Sequence, residues 1–311
     1  RNMAADALKV GAVYIEEDSG SDLHGDTFQV LFEGGATGTQ LERLVIDTDH
    51  GPLGMSVGDL IFDTVKGGLG ADEAFNLQIV SSTGIDNVQW QVTDGGTKLA
   101  FDFVGFHAGE KLVFSIDVDE VQDYDPSETN LDRINESIDP ITSGVEFQGS
   151  ELQSTFVAPG YFDVAGEAEF RNLYDPLFLG SSLLRTESRP DGLPDDNYQG
   201  RRDRSTGALL PLQQQPKPVS IRGHVRLTDR EGNCDGDSPE VEAIPDVLVT
   251  LLDDAGNVLK TTRTNAAGEY TFEGLAPGKY TVVETTPADL LDGDEHVGTV
   301  GAATRGQIGG N

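Results

Sequence analysis

The chain has 311 residues, 37% of them hydrophobic and 7% aromatic, which is ordinary globular material and long enough for two domains. Its 54 Asp and Glu against 21 Lys and Arg give a formal charge of −33. That field repels phosphate backbones and anionic lipid surfaces, so nucleic acid is not an expected partner, and it attracts divalent cations, calcium first among them. One cysteine excludes an internal disulfide and a Cys-rich zinc site, and no run of about 18 apolar residues is present to span a membrane.

The chain begins "RNMAADALKV" without an apolar signal core, so an export signal would lie upstream. Strand-like alternation starts at once. "KVGAVYIEED", "DTFQVLFEGG" and "LERLVIDTD" alternate and end in Gly or Asp. The same punctuation follows "DLIFDTVKGG", "NLQIVSSTG", "NVQWQVTDGG", "KLAFDFVGF", "KLVFSIDVD", "GVEFQGSELQSTFV" and "EAEFRNL", at the spacing of roughly 8 to 12 residues expected of a sandwich or barrel. Residues 1–184 therefore read as an N-terminal β-sandwich. It carries an acidic insert at 120–141, helical in pattern from Ser127 to Ser137 with Ser127 as N-cap. Residues 185–217 lose the alternation and gather Arg, Pro and Gln, the composition of a linker or extended arm. From 218 onward "SIRGHVRLTD", "DVLVTLLDDAGNVLKTTRTN", "GEYTFEGL" and "GKYTVVETT" give a second set of short strands with tight turns, a second sandwich over 218–311. The fold class is all-β, two β-sandwich domains.

Two acidic constellations have metal-ligand spacing. In "LTDREGNCDGDSPE", Asp229, Glu231, Asn233 and Glu240 fall at positions 1, 3, 5 and 12 of the loop that wraps oxygens around Ca²⁺. Glu at position 3 departs from that pattern, and so does Cys234 where Gly makes the sharp turn. A thiol is a poor calcium ligand, so Cys234 is expected to point into the domain. In "FSIDVDEVQDYD", Asp117 and Asp119 share one face of a strand, where two carboxylates can converge on one cation, and Asp123 follows. The competing reading is a set of acids splayed into water at a strand end. Asp47 and Asp49, and the cluster Asp22, His24 and Asp26, are weaker candidates, because short acidic turns abound in so acidic a chain.

Catalytic motifs lack their context. "GMSVG" at 54–58 matches a nucleophile elbow formally, but Pro52 precedes it and a strand-like run follows where a helix is needed, so Ser56 is not expected to be a nucleophile. The five His fall singly, against zinc catalysis. Trp90 lies on the opposite strand face from its flanking Gln residues and reads as core rather than as a sugar-stacking platform.

The segment from Ile221 to Gly293 resembles the SdrD B-like domain of serine-aspartate repeat surface proteins, relatives of the collagen-adhesin B domains. The likeness is carried by "G-x-Y-x-F-x-x-L-x-P-G-x-Y-x-V-x-E", here Gly268, Tyr270, Phe272, Leu275, Pro277, Gly278, Tyr280, Val282 and Glu284. The resemblance implies a prealbumin-like (immunoglobulin-like) sandwich, an extracellular stalk or spacer role, and calcium in the loop holding Asp229, Glu231, Asn233 and Glu240. Related B domains can form a Lys–Asn isopeptide bond assisted by the acid that Glu284 resembles. The first strand here offers Arg222 and Arg226 and no Lys, and a guanidinium stays protonated, so no such crosslink is expected. Less specifically, "RNMAAD", "VGAVYIEED", "GGLGAD" and "LVFSIDVDEV" resemble the N-terminal region of large exported planctomycete surface proteins. The tail "GTVGAATRGQIGGN" stops on glycines where a B domain ends in a further strand, which implies a longer native chain or a strand added by a neighbour.

The expectation is a non-enzymatic extracellular structural protein, calcium its cofactor, and its partners copies of itself or other cell-surface proteins. The alternative is an adhesive or glycan-binding module on a B-type spacer.

Overall fold

The computed structural model describes residues 5–16, 25–52, 54–71, 73–173, 175–184, 205–227, 242–291, 299–300 and 303–304. The chain divides into two compact units, one reaching from Ala4 to Gln215 and the other from Pro216 onward.

The strands of the first unit are β1 (Asp6–Ile15), β2 (Asp26–Gly34), β3 (Gln40–Asp47), β4 (Leu60–Asp63), β5 (Gln78–Ser81), β6 (Asn87–Val92), β7 (Lys98–Val104), β8 (Lys111–Val121), β9 (Ile138–Asp139), β10 (Glu151–Val157), β11 (Val164–Glu169), β12 (Arg171–Asn172) and β13 (Ser205–Gln214). One sheet runs β12-β13-β1-β2-β8-β4, with β5 and β9 also on β8; the other runs β11-β10-β3-β7-β6. Period-2 alternation sends one side chain in two to the space between them. Leu8, Val10, Ala12 and Tyr14 of β1 meet Leu44, Ile46, Phe101 and Phe156 of the facing sheet in one continuous core. Aromatic rings fill its centre: Tyr14 stacks on Phe147 at 4.0 Å and Phe28 on Phe114 at 4.8 Å. Burial, and after it the charge of Asp26, pushes the Tyr14 phenol well above its ordinary pKa, so it stays protonated and donates to the Thr142 carbonyl.

Three expectations change. Ser205–Gln214, read as part of an arm, is the ten-residue antiparallel partner of β1. Pro211 conceals it, yet β12 pairs β13 only at Thr206 and Gly207, so the proline nitrogen deprives no neighbour of a ladder bond. Gln214 is fully buried, its Oε1 accepting from Ala36 N (2.9 Å) and Thr39 Oγ1 (2.8 Å). Second, the helix of the insert, α1 (Leu131–Asn135), is shorter than the pattern over 127–137 suggests. Its N-cap is Asn130, because Ser127 is already held by Asp125 through both its amide and its hydroxyl. Third, Trp90 is not core: β6 is an edge strand and the indole is 41% exposed.

The second unit contains β14 (Val219–His224), β15 (Arg226–Leu227), β16 (Glu242–Ala243), β17 (Leu248–Asp253), β18 (Val258–Arg263), β19 (Glu269–Leu275), β20 (Tyr280–Thr285), β21 (Thr299–Val300) and β22 (Ala303–Thr304). The pairings are β14-β19 and β18-β17-β20, with β15-β16 and β21-β22 as short additions. The aromatic motif builds the core: Phe272 and Leu275 are buried with Val225, Val247, Val249 and Leu251, and Tyr270, Tyr280 and Val282 pack against them. Gly268 must be glycine, since its φ is +73° and a Cβ there would overlap the Val225 carbonyl oxygen. Arg222 lies beside Glu273, at 3.9 Å.

Candidate metal centre

Strand β8 is buried almost throughout, which a sheet with one solvated face would not allow. Phe114, Ile116 and Val118 point into the main core. Asp117, Asp119 and Val121 point the other way, toward a small second cluster of Ile61, Ala71, Val121 and Ile138 with Met55, Leu69, Tyr124 and Ile134 packed on it. Two segments cover this outer face: a strap over 64–71, and the acidic insert with α1.

Beneath them the register brings three carboxylates together. Asp63 ends β4 directly opposite Asp117, and Asp119, opposite Ile61, lies two residues on along the same face. Asp63 and Asp117 are 4% exposed and Asp119 is 0%. One ligand oxygen from each lies within 4.8 Å of the other two. Two oxygens bound to one Ca²⁺ at about 2.4 Å can stand at most about 4.8 Å apart, so this spacing suits a shared hard cation. Asp63 Oδ1, Asp117 Oδ2 and Asp119 Oδ1 are shielded from solvent and accept no hydrogen bond, although each carboxylate is engaged in other interactions. At an effective dielectric of about 20, two unit charges this close repel by roughly 3 kcal/mol per pair. A buried triple of carboxylates is therefore costly unless donors such as Ala71 N, protons or a cation compensate it.

The strap is tied down at both ends. Asp94 Oδ1 accepts from Thr64 N (2.9 Å) and Val65 N (2.9 Å), and its Oδ2 from Leu69 N (3.0 Å). Asn135 of α1 accepts from Gly70 N (3.2 Å) and donates to the Gly68 carbonyl (2.9 Å). Ala71 N then donates to Asp119 Oδ2 (2.7 Å), so the strap touches the carboxylate cluster itself. Gly70 lies so close to Asp63 that a Cβ would overlap Oδ2. Gly70→Ala is accordingly expected to displace the strap at the usual overpacking cost of about 1–3 kcal/mol, and a thermal melt should show a midpoint several degrees lower. An unchanged midpoint would mean that the strap does not rest on Asp63.

Asp117 and Asp119 thus converge as the spacing suggests, and their burial overturns the picture of acids splayed into water. Asp123 does not join them: it is exposed beyond the end of β8, its Oδ1 accepting from Tyr124 N. Asp63 takes the third place. Asp229, Glu231, Asn233, Glu240, Cys234, Asp22 and His24 lie outside the described residues. Asp26 faces the core and accepts from Val118 N (3.0 Å); Asp47 pairs with Lys98 (2.9 Å). On the rim, Glu120 is pushed above the ordinary carboxylate range by burial, then by Glu146 and Asp139. Ser56 sits in a turn before a strand, its hydroxyl donating to Asp59 Oδ2 (3.0 Å). His50 Nε2 lies 2.9 Å from Ser150 Oγ. Among the described residues no helix is long and apolar enough to cross a membrane.

Comparison with known proteins bears mainly on the second unit. Residues 222–303 match the SdrD B-like domain model. The chain is 40% identical over 70 residues to Colossin-A of Dictyostelium discoideum, which covers 22% of this chain and 1% of that protein. It is 28% identical over 176 residues to serine-aspartate repeat-containing protein F of Staphylococcus epidermidis, covering 54% of this chain and 10% of the relative. The chain thus spans a tenth or less of the length of these two relatives. Among solved structures, the major pilin subunit of Bacillus cereus aligns over 85% of this chain and 54% of its own at 13% identity, with a TM-score of 0.21, too low to equate the folds.

Proposed function

We propose that this is a non-enzymatic extracellular structural protein, stiffened by calcium, that forms a subunit or segment of a cell-surface fibre, stalk or lattice. The SdrD B-like match over 222–303 supports the surface-structural part, in keeping with the motif that builds the second core. The resemblance of the first unit to exported planctomycete proteins supports export. The single observation that carries the calcium part is the convergence of Asp63, Asp117 and Asp119 under a pinned strap. An all-oxygen, all-carboxylate donor set favours a hard cation over zinc or copper. Bound there, calcium neutralises charge that would otherwise push β4 and β8 apart. A second ion fits Asp229, Glu231, Asn233 and Glu240 on the loop spacing. Partners are copies of the chain or other surface proteins, reached through sheet edges such as β6.

Metal analysis of the dialysed full chain tests this, paired with light scattering in calcium and in chelator. About two calcium ions per chain are expected, about one after Asp229→Ala, with particle mass growing in calcium. A calcium-free monomer under both conditions would overturn the reading. One observation favours a second reading, an adhesive or glycan-binding module: the half-exposed Trp90 on an edge strand is a stacking surface. Glycan-array binding lost in Trp90→Ala would identify it.

A further inference from the structure

We infer that Asn135 is a latch that couples cation binding at Asp63, Asp117 and Asp119 to the seating of the acidic insert over 122–139, an inference that rests on the calcium reading above. The strap has two different anchors. Asp94 belongs to the turn after β6, within the framework of the sandwich, and fixes the strap at Thr64, Val65 and Leu69. Asn135 belongs to the insert and fixes it at Gly68 and Gly70, one residue before the amide of Ala71 that binds Asp119. A displaced α1 therefore releases Gly68 and Gly70, the latter next to Ala71, while Asp94 still holds Thr64, Val65 and Leu69.

Besides the two-residue ladder of β9 on β8, a small apolar patch seats the insert. Its apolar contacts with the sheet come from Tyr124, Ile134 and Ile138, meeting Ile61, Ala71, Val121, Leu69 and Met55. Against that small patch stand Asp123, Asp125, Glu128, Asp132, Glu136 and Asp139, with Arg133 the one basic residue of the segment. Docking this acidic segment over three further buried carboxylates costs repulsion, and a divalent cation among them removes most of it. Cation and insert thus favour one another, and by linkage the effect must be equal in both directions. Asn135 acts through the strap rather than as a ligand, so it is a positioning residue.

Calcium titration by calorimetry and hydrogen exchange of the 122–139 amides, both on the full chain, test the coupling. In the wild type, calcium is expected to slow exchange at Gln122, Glu136 and Ser137, whose amides bond within the insert, by about tenfold, within the 5–150-fold range typical of coupled sites. Asn135→Ala is expected to weaken calcium about tenfold and to abolish that protection, while Leu131→Ala, an exposed neutral change on the same helix, leaves both unchanged. Calcium binding with wild-type affinity and undiminished protection in Asn135→Ala overturns the latch alone. Binding of as much calcium, as tightly, by Asp63→Asn as by the wild type overturns the metal reading and the latch together. If Asn135→Ala does not fold, the wild-type exchange still decides, because insert amides indifferent to calcium exclude the coupling.

Discussion

A chain ending at Leu184 is expected not to fold cooperatively, whereas one ending at Gln215 melts as the first unit does in the intact protein. The reason lies in β13. It runs beside β1 for ten registered pairs, from Asp6 opposite Gln214 to Ile15 opposite Ser205. Removing it turns β1 from an interior strand into an edge and exposes its unpaired amides and carbonyls. Ala208 and Leu210 leave the main core and Leu212 its flank, a loss of roughly 5 kcal/mol of burial at about 25 cal/mol per Å². Ala36 N loses its buried acceptor on Gln214, at about 1–3 kcal/mol for a polar group left unsatisfied, while the Thr39 hydroxyl still has the Ala36 carbonyl at 2.7 Å. These losses together rival the whole stability of a domain, about 5–15 kcal/mol. Urea unfolding followed by circular dichroism checks it: a sharp transition at the wild-type midpoint in the shorter chain would show that β13 is dispensable.

The same strand shows where sequence pattern stops being legible. "STGALLPLQQ" has Pro in its middle and Gln at its end, local signals for an arm, and only the tertiary partner makes it a strand. Pro211 is tolerated because its nitrogen faces a side that β12 leaves unpaired, a fact of topology with no local signature. The second unit was more legible, because Tyr270, Phe272, Leu275, Tyr280 and Val282 are themselves its core and their spacing is short-range. At the candidate metal centre, period 2 along β8 places Asp117 and Asp119 on one face. Asp63 was missed because its place depends on a β4–β8 register between residues more than fifty positions apart. One sign was available: "LIFD" ends a short continuous apolar run with an acid on the face of Ile61, an apolar side chain that has to be buried. Trp90 went wrong for the complementary reason, since pattern tells which face a residue takes but not whether its strand lies at an edge.

Replacing Asp117 with Asn should stabilise the protein in chelator and remove most of its response to calcium. In chelator the wild type holds three carboxylates within 4.8 Å, each pair repelling by roughly 3 kcal/mol at an effective dielectric of about 20. Asn keeps the volume, removes two of the three repulsions and offers amide hydrogens to Asp63 and Asp119, so the chelated variant should melt higher than the chelated wild type. With calcium the gap narrows. At free calcium about a hundred times Kd, binding stabilises the wild type by about 2.7 kcal/mol, which for a domain of this size is a shift of roughly 5–10 °C. The variant has lost one anionic ligand of three, and its calcium shift should fall close to zero. This loss of the calcium response separates a metal centre from its alternatives. A cluster that shares protons and holds no ion would be stabilised by Asn equally in both buffers. Carboxylates that serve as acceptors for buried amides, as Asp119 does for Ala71, would be destabilised by Asn in both. Only a cation shared by β4 and β8 makes the same substitution helpful in chelator while removing the calcium shift, because only then does the charge that strains the empty fold bind what stabilises the filled one.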